Sequence, residues 1–184
     1  PYASLATRFG ARMGDTKLID MMMGALHDPF QNIHMGVTAE NIAAKWGITR
    51  EDQDKLAVES HNRAERATQN GVFKDQIVPV TLKSRKGDVH YATDEHFRPG
   101  ATMEDLAKLK PAFLKENGTV TAGNASGIND AAAAVVLMEA GAAKARGAKP
   151  LARLVAYAHA GVDPKYMGIG PVPATQLALK RAGL

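Results

Sequence analysis

The chain has 184 residues and a formal net charge of +4, and it is 45% hydrophobic but only 5% aromatic, with no cysteine. This length provides a core for one domain or parts of two, and the absence of cysteine excludes a disulfide scaffold and a thiolate metal site. No apolar run approaches the roughly 20 residues of a membrane helix, and the interspersed charges favour a solvated surface over a nucleic-acid-binding stripe. We therefore expect a protein without a signal peptide, located in the cytoplasm, that binds neither nucleic acid nor membrane.

Two helices are predicted first in chain order. Helical spacing over residues 39–46, followed by Gly47, predicts a helix and its end. Residues 49–52 have the form of a capping box that opens a longer helix, and Gly71 is a suitable stop. The predicted buried side of this longer helix carries Leu56, Ala57, Ala64 and Ala67.

A small hairpin and a short helix follow. Alternating apolar residues over 77–83 predict a strand with one buried face, and Pro79 on the opposite phase makes it an edge or bulged strand. Residues 86–88 predict a turn into a weak partner strand over 89–93. A short helix is predicted over residues 103–109, ended by Pro111.

The string VTAGNASGINDAAAAVVLM, residues 120–138, is the most informative stretch of the chain. Its glycine-flanked turn at residues 123–127 permits close backbone approach, because glycine has no Cβ atom. The small-to-apolar run that ends at Met138 predicts a buried strand. We interpret the polar residues of this string as structural, holding the turn through local side-chain hydrogen bonds; they are Asn124, Asn129 and Asp130.

The last third of the chain alternates strand and helix. A helix is predicted over 139–146 with Gly147 as its cap, a strand over 151–158, and a helix over 174–181 after a glycine- and proline-rich bend. This alternation predicts layered α/β packing from residue 119 onward. The first 118 residues read as an insertion of helices and small antiparallel strands.

Several strings resemble the thiolase family in the family's own order. They are RMGD at 12–15, HMGVTAEN at 34–41, FKDQIVP at 73–79, KLKPAF at 108–113, GTVTAGN at 118–124, GVDP at 161–164 and MGIGPVPA at 167–174. The match spans nearly the whole chain, and HDPF at 27–30 places it nearest to bacterial biosynthetic β-ketothiolases.

The resemblance implies an α/β fold of the layered αβαβα type, present only in part, with an inserted mixed α+β loop domain. It implies a loop domain that binds coenzyme A over 1–118, the end of the N-terminal half over 119–149 and the start of the C-terminal half over 150–184. The family's nucleophilic cysteine would precede the chain, and its histidine and second cysteine would follow it. We therefore interpret the chain as a fragment that carries no catalytic residue and is inactive by itself.

The activity that the resemblance implies is that of an acetyl-CoA C-acyltransferase. Such an enzyme catalyses the reversible Claisen condensation of acyl-CoA molecules, or thiolysis of a 3-ketoacyl-CoA, through a cysteine acyl-enzyme. We expect coenzyme A and acyl-CoA as substrates, no separate cofactor, no metal and a homo-oligomer, tetrameric in the intact enzyme. The pathway would be fatty acid or polyhydroxyalkanoate metabolism.

The resemblance also implies which residues line the coenzyme A site. His34 and Met35 match the pantetheine channel, with Leu26 and Met167 further along it, and Arg98 matches the nucleotide end. The residues that match contacts to the pantetheine arm are Phe113, Ala122 and Ser126. Each of these residues also has a simpler interpretation. His34 could be hydrogen-bonded to the backbone, Arg98 could be solvated, and Ser126 could be bonded to its own turn. Ordinary core packing is the simpler interpretation of Leu26, Met35 and Met167. Asp105 stands where the family often has a small hydroxyl residue, and an acid there should weaken phosphate or adenine contacts.

Two alternatives of other classes remain. The chain could be a stand-alone, non-catalytic module that binds acyl-CoA or acts as a scaffold, which the extent of its reading frame would decide. It could also be a condensing enzyme with another nucleophile, but no serine lies in a G-x-S-x-G elbow. No histidines show the spacing of a metal site such as HExxH.

Overall fold

The computed structural model describes residues 1–184 and contains six α-helices, one 3-10 helix and four short strands. The strands are β1 Tyr2–Ala3, β2 Ile19–Asp20, β3 Val80–Leu82 and β4 Val89–Tyr91. The helices are α1 Met21–Ala25, α2 Met35–Trp46, α3 Arg50–Gln69, α4 Met103–Ala107, α5 Ala140–Ala145 and α6 Pro171–Ala182, with the 3-10 helix at Pro164–Ile169. The chain divides into two compact units, residues 39–127 and residues 1–38 with 128–184. The predicted domain boundaries at 118 and 149 stay predictions.

The capping box that opens α3 is confirmed. The Thr49 hydroxyl accepts from the Asp52 amide at 3.1 Å, and the Asp52 carboxylate accepts from the Thr49 amide at 3.1 Å. The predicted ends are confirmed as well, because Gly47 and Gly71 have left-handed φ angles of +65° and +69° just after α2 and α3. Left-handed glycines satisfy the last carbonyls of a helix at little steric cost.

The predicted buried side of α3 is wrong at Leu56, which is 74% exposed. The only fully buried residue of α3 is Asp54, and α3 packs against α4. The prediction is right in part, because Ala57, Ala64 and Ala67 are half-buried. Asp54 lies inward as well, since its carboxylate finds hydrogen-bonding partners there. A pattern of apolar residues alone does not reveal such a choice.

The predicted hairpin is confirmed in its pairing but not in its burial. Strands β3 and β4 are antiparallel with Thr81 opposite His90, and the Ser84 hydroxyl donates to the Gly87 carbonyl in the turn at 2.8 Å. Both Val80 and Leu82 are more than half exposed, so the expected buried face is wrong.

The unit of residues 1–38 and 128–184 contains its own antiparallel pair, β1 and β2. The Asp20 carboxylate accepts from the Met22 amide at 2.9 Å and so caps α1. Helix α6 begins at Pro171, three residues before the predicted start, because proline at the first helical position needs no amide partner.

Two predicted strands do not form. Residues 131–138 and 151–158 form neither helix nor strand, and Val136 is 88% exposed. A strand is completed only when a neighbouring strand satisfies its amides and carbonyls, and no segment of the 184 residues pairs with either. Separately, none of the helices combines the length and the apolar character that crossing a membrane requires.

Candidate functional site

The unit of residues 39–127 contains a cavity of about 350 Å³, a volume typical of small-molecule sites. Three segments form its walls: the loop 96–101, the end of α4 with the residues after it, and the turn 122–125. The lining residues are His61, His96, Arg98, Pro99, Gly100, Ala101, Asp105, Leu106, Leu109, Ala122, Gly123 and Ala125. The walls present polar and apolar surface in similar amounts, and the charged and imidazole groups lie on the loop, on α3 and on α4.

Helix α3 holds the loop that forms the first wall. The Arg98 amide donates to Nδ1 of His61 at 3.2 Å, and the Gly100 amide donates to the Glu65 carboxylate at 2.8 Å. Because Nδ1 of His61 accepts this bond, its ring proton lies on Nε2 in the neutral form. The Arg98 side chain itself is exposed beside the cavity.

Asp105 brings a negative charge to the same cavity. Its carboxylate accepts from the Thr102 hydroxyl at 2.6 Å and from the Lys108 ammonium at 3.1 Å. The hydrogen bond from Thr102, followed by that from Lys108, holds the pKa of Asp105 below its ordinary value. The carboxylate is therefore ionised at neutral pH, and the cavity combines a guanidinium with a carboxylate.

The third wall is a turn held by its own side chains. The Thr121 amide donates to Oδ1 of Asn124 at 2.7 Å, and the Gly123 amide donates to the Thr121 hydroxyl at 3.2 Å. A Cβ atom on Gly123 would lie 2.6 Å from Leu109 Cδ1, so glycine permits the turn to approach α4. The predicted close approach and the structural reading of Asn124 are both confirmed.

Glu40, on α2, fixes the segment that leads into this turn. This residue is 4% exposed, and its carboxylate accepts from the Thr119 amide at 2.9 Å, the Thr119 hydroxyl at 2.6 Å and the Val120 amide at 2.9 Å. A buried carboxylate is tolerated where several donors replace its water.

A second buried carboxylate, Asp54 on α3, connects two walls of the cavity. Nδ2 of Asn124 donates to Asp54 Oδ1 at 2.9 Å and to the Thr119 carbonyl at 2.9 Å. Asp54 Oδ2 accepts from Nε of Arg50 at 2.7 Å, and Nη2 of Arg50 donates to the carbonyls of Leu106 at 2.6 Å and Leu109 at 3.1 Å. Sequence patterns did not reveal these contacts, although Arg50 and Asp54 lie one helical turn apart on the helix that the capping box opens.

Four predicted site residues belong to this unit. Arg98 and Ala122 line the cavity. Phe113 is half-buried and Ser126 is exposed, and neither lines the cavity. The roles of these four residues in binding coenzyme A stay predictions. Sequence patterns did not indicate four other lining residues, which are His61, His96, Leu106 and Leu109.

Three predicted residues lie together in the other unit. The Met35 amide donates to the Leu26 carbonyl at 2.8 Å. The His34 ring contacts the His27 ring edge-on at 5.3 Å, and Nδ1 of His34 accepts from the Gly36 amide at 2.9 Å. Leu26, His34 and Met35 are half-buried, and their roles stay predictions.

Met167 lies in the 3-10 helix Pro164–Ile169 and is 41% exposed. Asp163 caps this helix through the Lys165 amide at 3.0 Å, and the Gly170 amide donates to the Met167 carbonyl at 3.0 Å. The predicted loop at residues 167–173 is instead helical, because residues 167–169 end the 3-10 helix and residues 171–173 begin α6. The role of Met167 in a channel stays a prediction.

Known proteins place the chain in one family. The profile of the thiolase N-terminal domain matches residues 1–141, and that of the thiolase C-terminal domain matches residues 148–184. The chain is 68% identical over its whole length to beta-ketothiolase BktB of Cupriavidus necator, and 56% identical over 177 residues to acetyl-CoA acetyltransferase of Rhizobium meliloti. These alignments cover 100% and 96% of the chain but 47% and 45% of the two relatives, so the chain spans about half their length.

Solved structures agree with these sequence matches. Acetyl-CoA acetyltransferase of Bacillus anthracis superposes with a TM-score of 0.85 at 50% identity, over 100% of this chain and 46% of the other. Human mitochondrial 3-ketoacyl-CoA thiolase in complex with CoA superposes with a TM-score of 0.81 at 43% identity, with the same coverage. The predicted thiolase-like α/β fold is thus confirmed, and the chain belongs to the thiolase family.

Proposed function

We propose that this chain is the part of a β-ketothiolase, an acetyl-CoA C-acyltransferase, that supplies much of the wall of the coenzyme A site. The observation that carries the proposal is the cavity of residues 39–127, whose partly apolar walls include a guanidinium and two imidazoles together with the Asp105 carboxylate. Coenzyme A combines a phosphorylated nucleotide with a long, weakly polar arm. The guanidinium suits the phosphates and the apolar surface suits the arm, whereas the carboxylate opposes the phosphates. The names of the relatives, beta-ketothiolase and acetyl-CoA acetyltransferase, support the same substrate class.

The proposed reaction is the reversible Claisen condensation of acyl-CoA molecules, or the thiolysis of a 3-ketoacyl-CoA. It requires a nucleophile that carries the acyl group, a base that removes the α-proton and donors that stabilise the oxyanions. The 184 residues include no cysteine, so we assign the acyl-carrying thiol to polypeptide outside them. Tetramer formation, a cytoplasmic location and a pathway of fatty acid or polyhydroxyalkanoate metabolism stay predictions.

Within the cavity, Arg98 is proposed to bind the phosphates of the nucleotide. A guanidinium suits phosphate because its donors form a planar fork and it also stacks on aromatic rings. Ala122 is proposed to lie against the pantetheine arm, where its small side chain permits close approach. Phe113 and Ser126, and Leu26, His34, Met35 and Met167 of the other unit, are proposed as further contacts to the arm.

Titration of the 184-residue chain with coenzyme A, by calorimetry at low and moderate salt, tests the proposal. Arg98→Ala should raise the Kd about tenfold, the loss expected for a hydrogen bond to a charged group. Arg85→Ala is the matched control, because Arg85 lies in the turn between β3 and β4 and does not line the cavity. The proposal fails if the folded chain does not bind coenzyme A, or if the two variants weaken binding equally.

A stand-alone acyl-CoA-binding module is the second candidate. It is favoured by one observation: every lining residue of the cavity lies between His61 and Ala125, within a single compact unit. The size of the natural gene product, measured by mass spectrometry of the protein from its source, separates the two candidates. A product near 19.6 kDa supports the module, and one about twice as large supports a part of a full-length thiolase.

A further inference from the structure

We propose that Asp54 is a positioning residue that holds two walls of the cavity at a fixed spacing, through Asn124 on one side and Arg50 on the other. Neither oxygen of its carboxylate faces the cavity as a lining group; each is bonded to a side chain that reaches a different wall. The expected effect on coenzyme A binding rests on the proposed function, whereas the fixed spacing of the two walls does not.

On the first side, Asp54 orients the side chain of Asn124. Asp54 Oδ1 accepts one proton of the Asn124 amide group at 2.9 Å, which leaves Oδ1 of Asn124 aimed at the Thr121 amide at 2.7 Å. Because an amide side chain has distinct donor and acceptor ends, this bond selects the orientation that closes the turn. Ala122, Gly123 and Ala125 of that turn line the cavity.

On the second side, Asp54 orients Arg50. Asp54 Oδ2 accepts from Nε of Arg50 at 2.7 Å, and the same guanidinium donates to the carbonyls of Leu106 and Leu109. The Leu106 carbonyl, in the last turn of α4, also accepts from the Leu109 amide at 3.0 Å, and the Leu109 carbonyl lies beyond the helix. Both leucine side chains line the cavity, so one carboxylate reaches both walls.

Burial shows that the pair of Arg50 and Asp54 is not an ordinary surface ion pair. Their side chains are 25% and 3% exposed, whereas those of Arg63 and Glu59, an i,i+4 pair on the same helix, are 72% and 48% exposed. The desolvation of a buried ion pair offsets most of its attraction, and a well-packed apolar pair is often as stable. Fixed geometry is therefore the role that fits Asp54, because an apolar side chain would orient neither Asn124 nor Arg50.

Glu40 does not duplicate this role. Its carboxylate accepts only from Thr119 and Val120, ahead of the turn, and none of its hydrogen bonds reaches α4. The Val120 amide thus reports on Glu40 alone, while the Thr121 amide reports on Asn124. The two adjacent amides separate the effects of the two carboxylates.

Amide hydrogen exchange of the ligand-free chain, resolved by residue in NMR spectra, tests the proposal. Asp54→Leu should accelerate exchange at Thr121 about tenfold relative to Val120, because leucine offers no acceptor to the Asn124 amide group and a charge-assisted hydrogen bond is lost. A double variant, Arg50→Met with Asp54→Leu, serves if the single variant does not fold. It removes both buried charges, so that neither is left without its partner. It should show the same local acceleration while its urea midpoint stays near that of the wild type.

The matched control is Glu59→Gln with Arg63→Gln, which removes the exposed pair of the same helix. It should leave exchange at Thr121 and Val120 unchanged. The proposal is overturned if exchange at Thr121 is unchanged in the Asp54 variants, or if it accelerates only in step with every amide of α3.

Calorimetry with coenzyme A on the same variants adds the functional consequence. The Asp54 variants should raise the Kd about tenfold, and the Glu59 and Arg63 control should not change it. If the wild type does not bind coenzyme A while exchange at Thr121 responds as expected, the proposed function fails and the positioning role stands. If the wild type binds and the Asp54 variants bind equally well, the positioning role fails and the proposed function stands.

Discussion

The string of residues 118–138 contains two adjoining regions that behave differently. The anchored segment, residues 118–127, is held by the carboxylate of Glu40 and by the Asn124 side chain bonded to Asp54. The extended segment, residues 128–138, forms neither helix nor strand, and its residues are exposed. The more apolar region is thus the one that forms no hydrogen bonds, although apolar residues drive folding.

The difference shows how the two kinds of structure obtain their hydrogen bonds. The anchored segment is satisfied by side chains that lie on α2 and α3 of this chain, so its structure is complete within the 184 residues. The extended segment has apolar side chains that offer its backbone no partner, and an extended backbone requires a neighbouring strand. Apolar character predicts where a strand will be buried, but pairing decides whether it exists.

Among the variants that remove a single contact, Glu40→Ala is expected to have the largest effect on the anchored segment. Removal of this buried carboxylate leaves the amides of Thr119 and Val120 without their acceptor, which should lower the free energy of unfolding by about 3 kcal/mol. Urea denaturation measures the change. Glu51→Ala is the control, because Glu51 forms an exposed pair with Lys55, worth no more than about 0.5 kcal/mol. A loss below about 1 kcal/mol for Glu40→Ala would contradict the anchoring role.

Gly118→Ala is expected to have the next largest effect. A Cβ atom at this position would clash with the Leu114 carbonyl oxygen and lie 2.6 Å from Cβ of Pro111. Because the first of these atoms is backbone, relief requires movement of the chain and should cost about 1–3 kcal/mol. Gly161→Ala is the control, since nothing lies within 4 Å of its added Cβ. Equal thermal midpoints for the two variants would show that the anchored segment is less tightly packed than the structure indicates.

A smaller effect on stability is expected when the pH is lowered, and it should arise at Asp105 in α4. Hydrogen bonds from Thr102 and then Lys108 hold the pKa of Asp105 below its ordinary value. A lowered carboxyl pKa contributes stability that is present above the ordinary value and lost as pH falls through the lowered one. The side-chain carboxyl signal of Asp105 in NMR spectra should therefore report a pKa below the ordinary aspartate value.

Asp105→Asn serves as the control for this titration. An amide at this position does not ionise, so this carboxyl signal should be absent from the spectrum of the variant, which assigns it to Asp105. A pKa of Asp105 at or above the ordinary aspartate value would contradict the hydrogen bonds from Thr102 and Lys108.

Val136→Asp in the extended segment should have the smallest effect. Val136 is 88% exposed, so the charge remains in water and the free energy of unfolding should change by less than about 0.5 kcal/mol. Val120→Asp, at a buried position of the anchored segment, is the contrasting variant and should prevent stable folding. A large loss of stability for Val136→Asp in urea denaturation would indicate that the extended segment is paired, which would overturn the comparison.

Sequence patterns predicted five of the six α-helices, because these have local signals, whereas α1 was not predicted. The capping box at Thr49 and the glycines at 47, 71 and 147 act within a few residues of the chain, and all are confirmed. The hairpin of β3 and β4 was found for the same reason, since a glycine turn joins its two strands. The candidate site was found only in part: Arg98 and Ala122 line the cavity, whereas Arg50 and Asp54 were not selected.

The sequence by itself determined the family, the helix ends and the polar turn, because these depend on residue order or on contacts between near neighbours. Only the tertiary structure decided that Asp54 and not Leu56 is buried on α3, and that Asn124 is bonded across 70 positions of sequence to that carboxylate. It also decided that the apolar run ending at Met138 stays unpaired. The physical reason is common to these cases: burial and strand pairing depend on partners distant along the chain, and a local pattern specifies the need for a partner but not its identity.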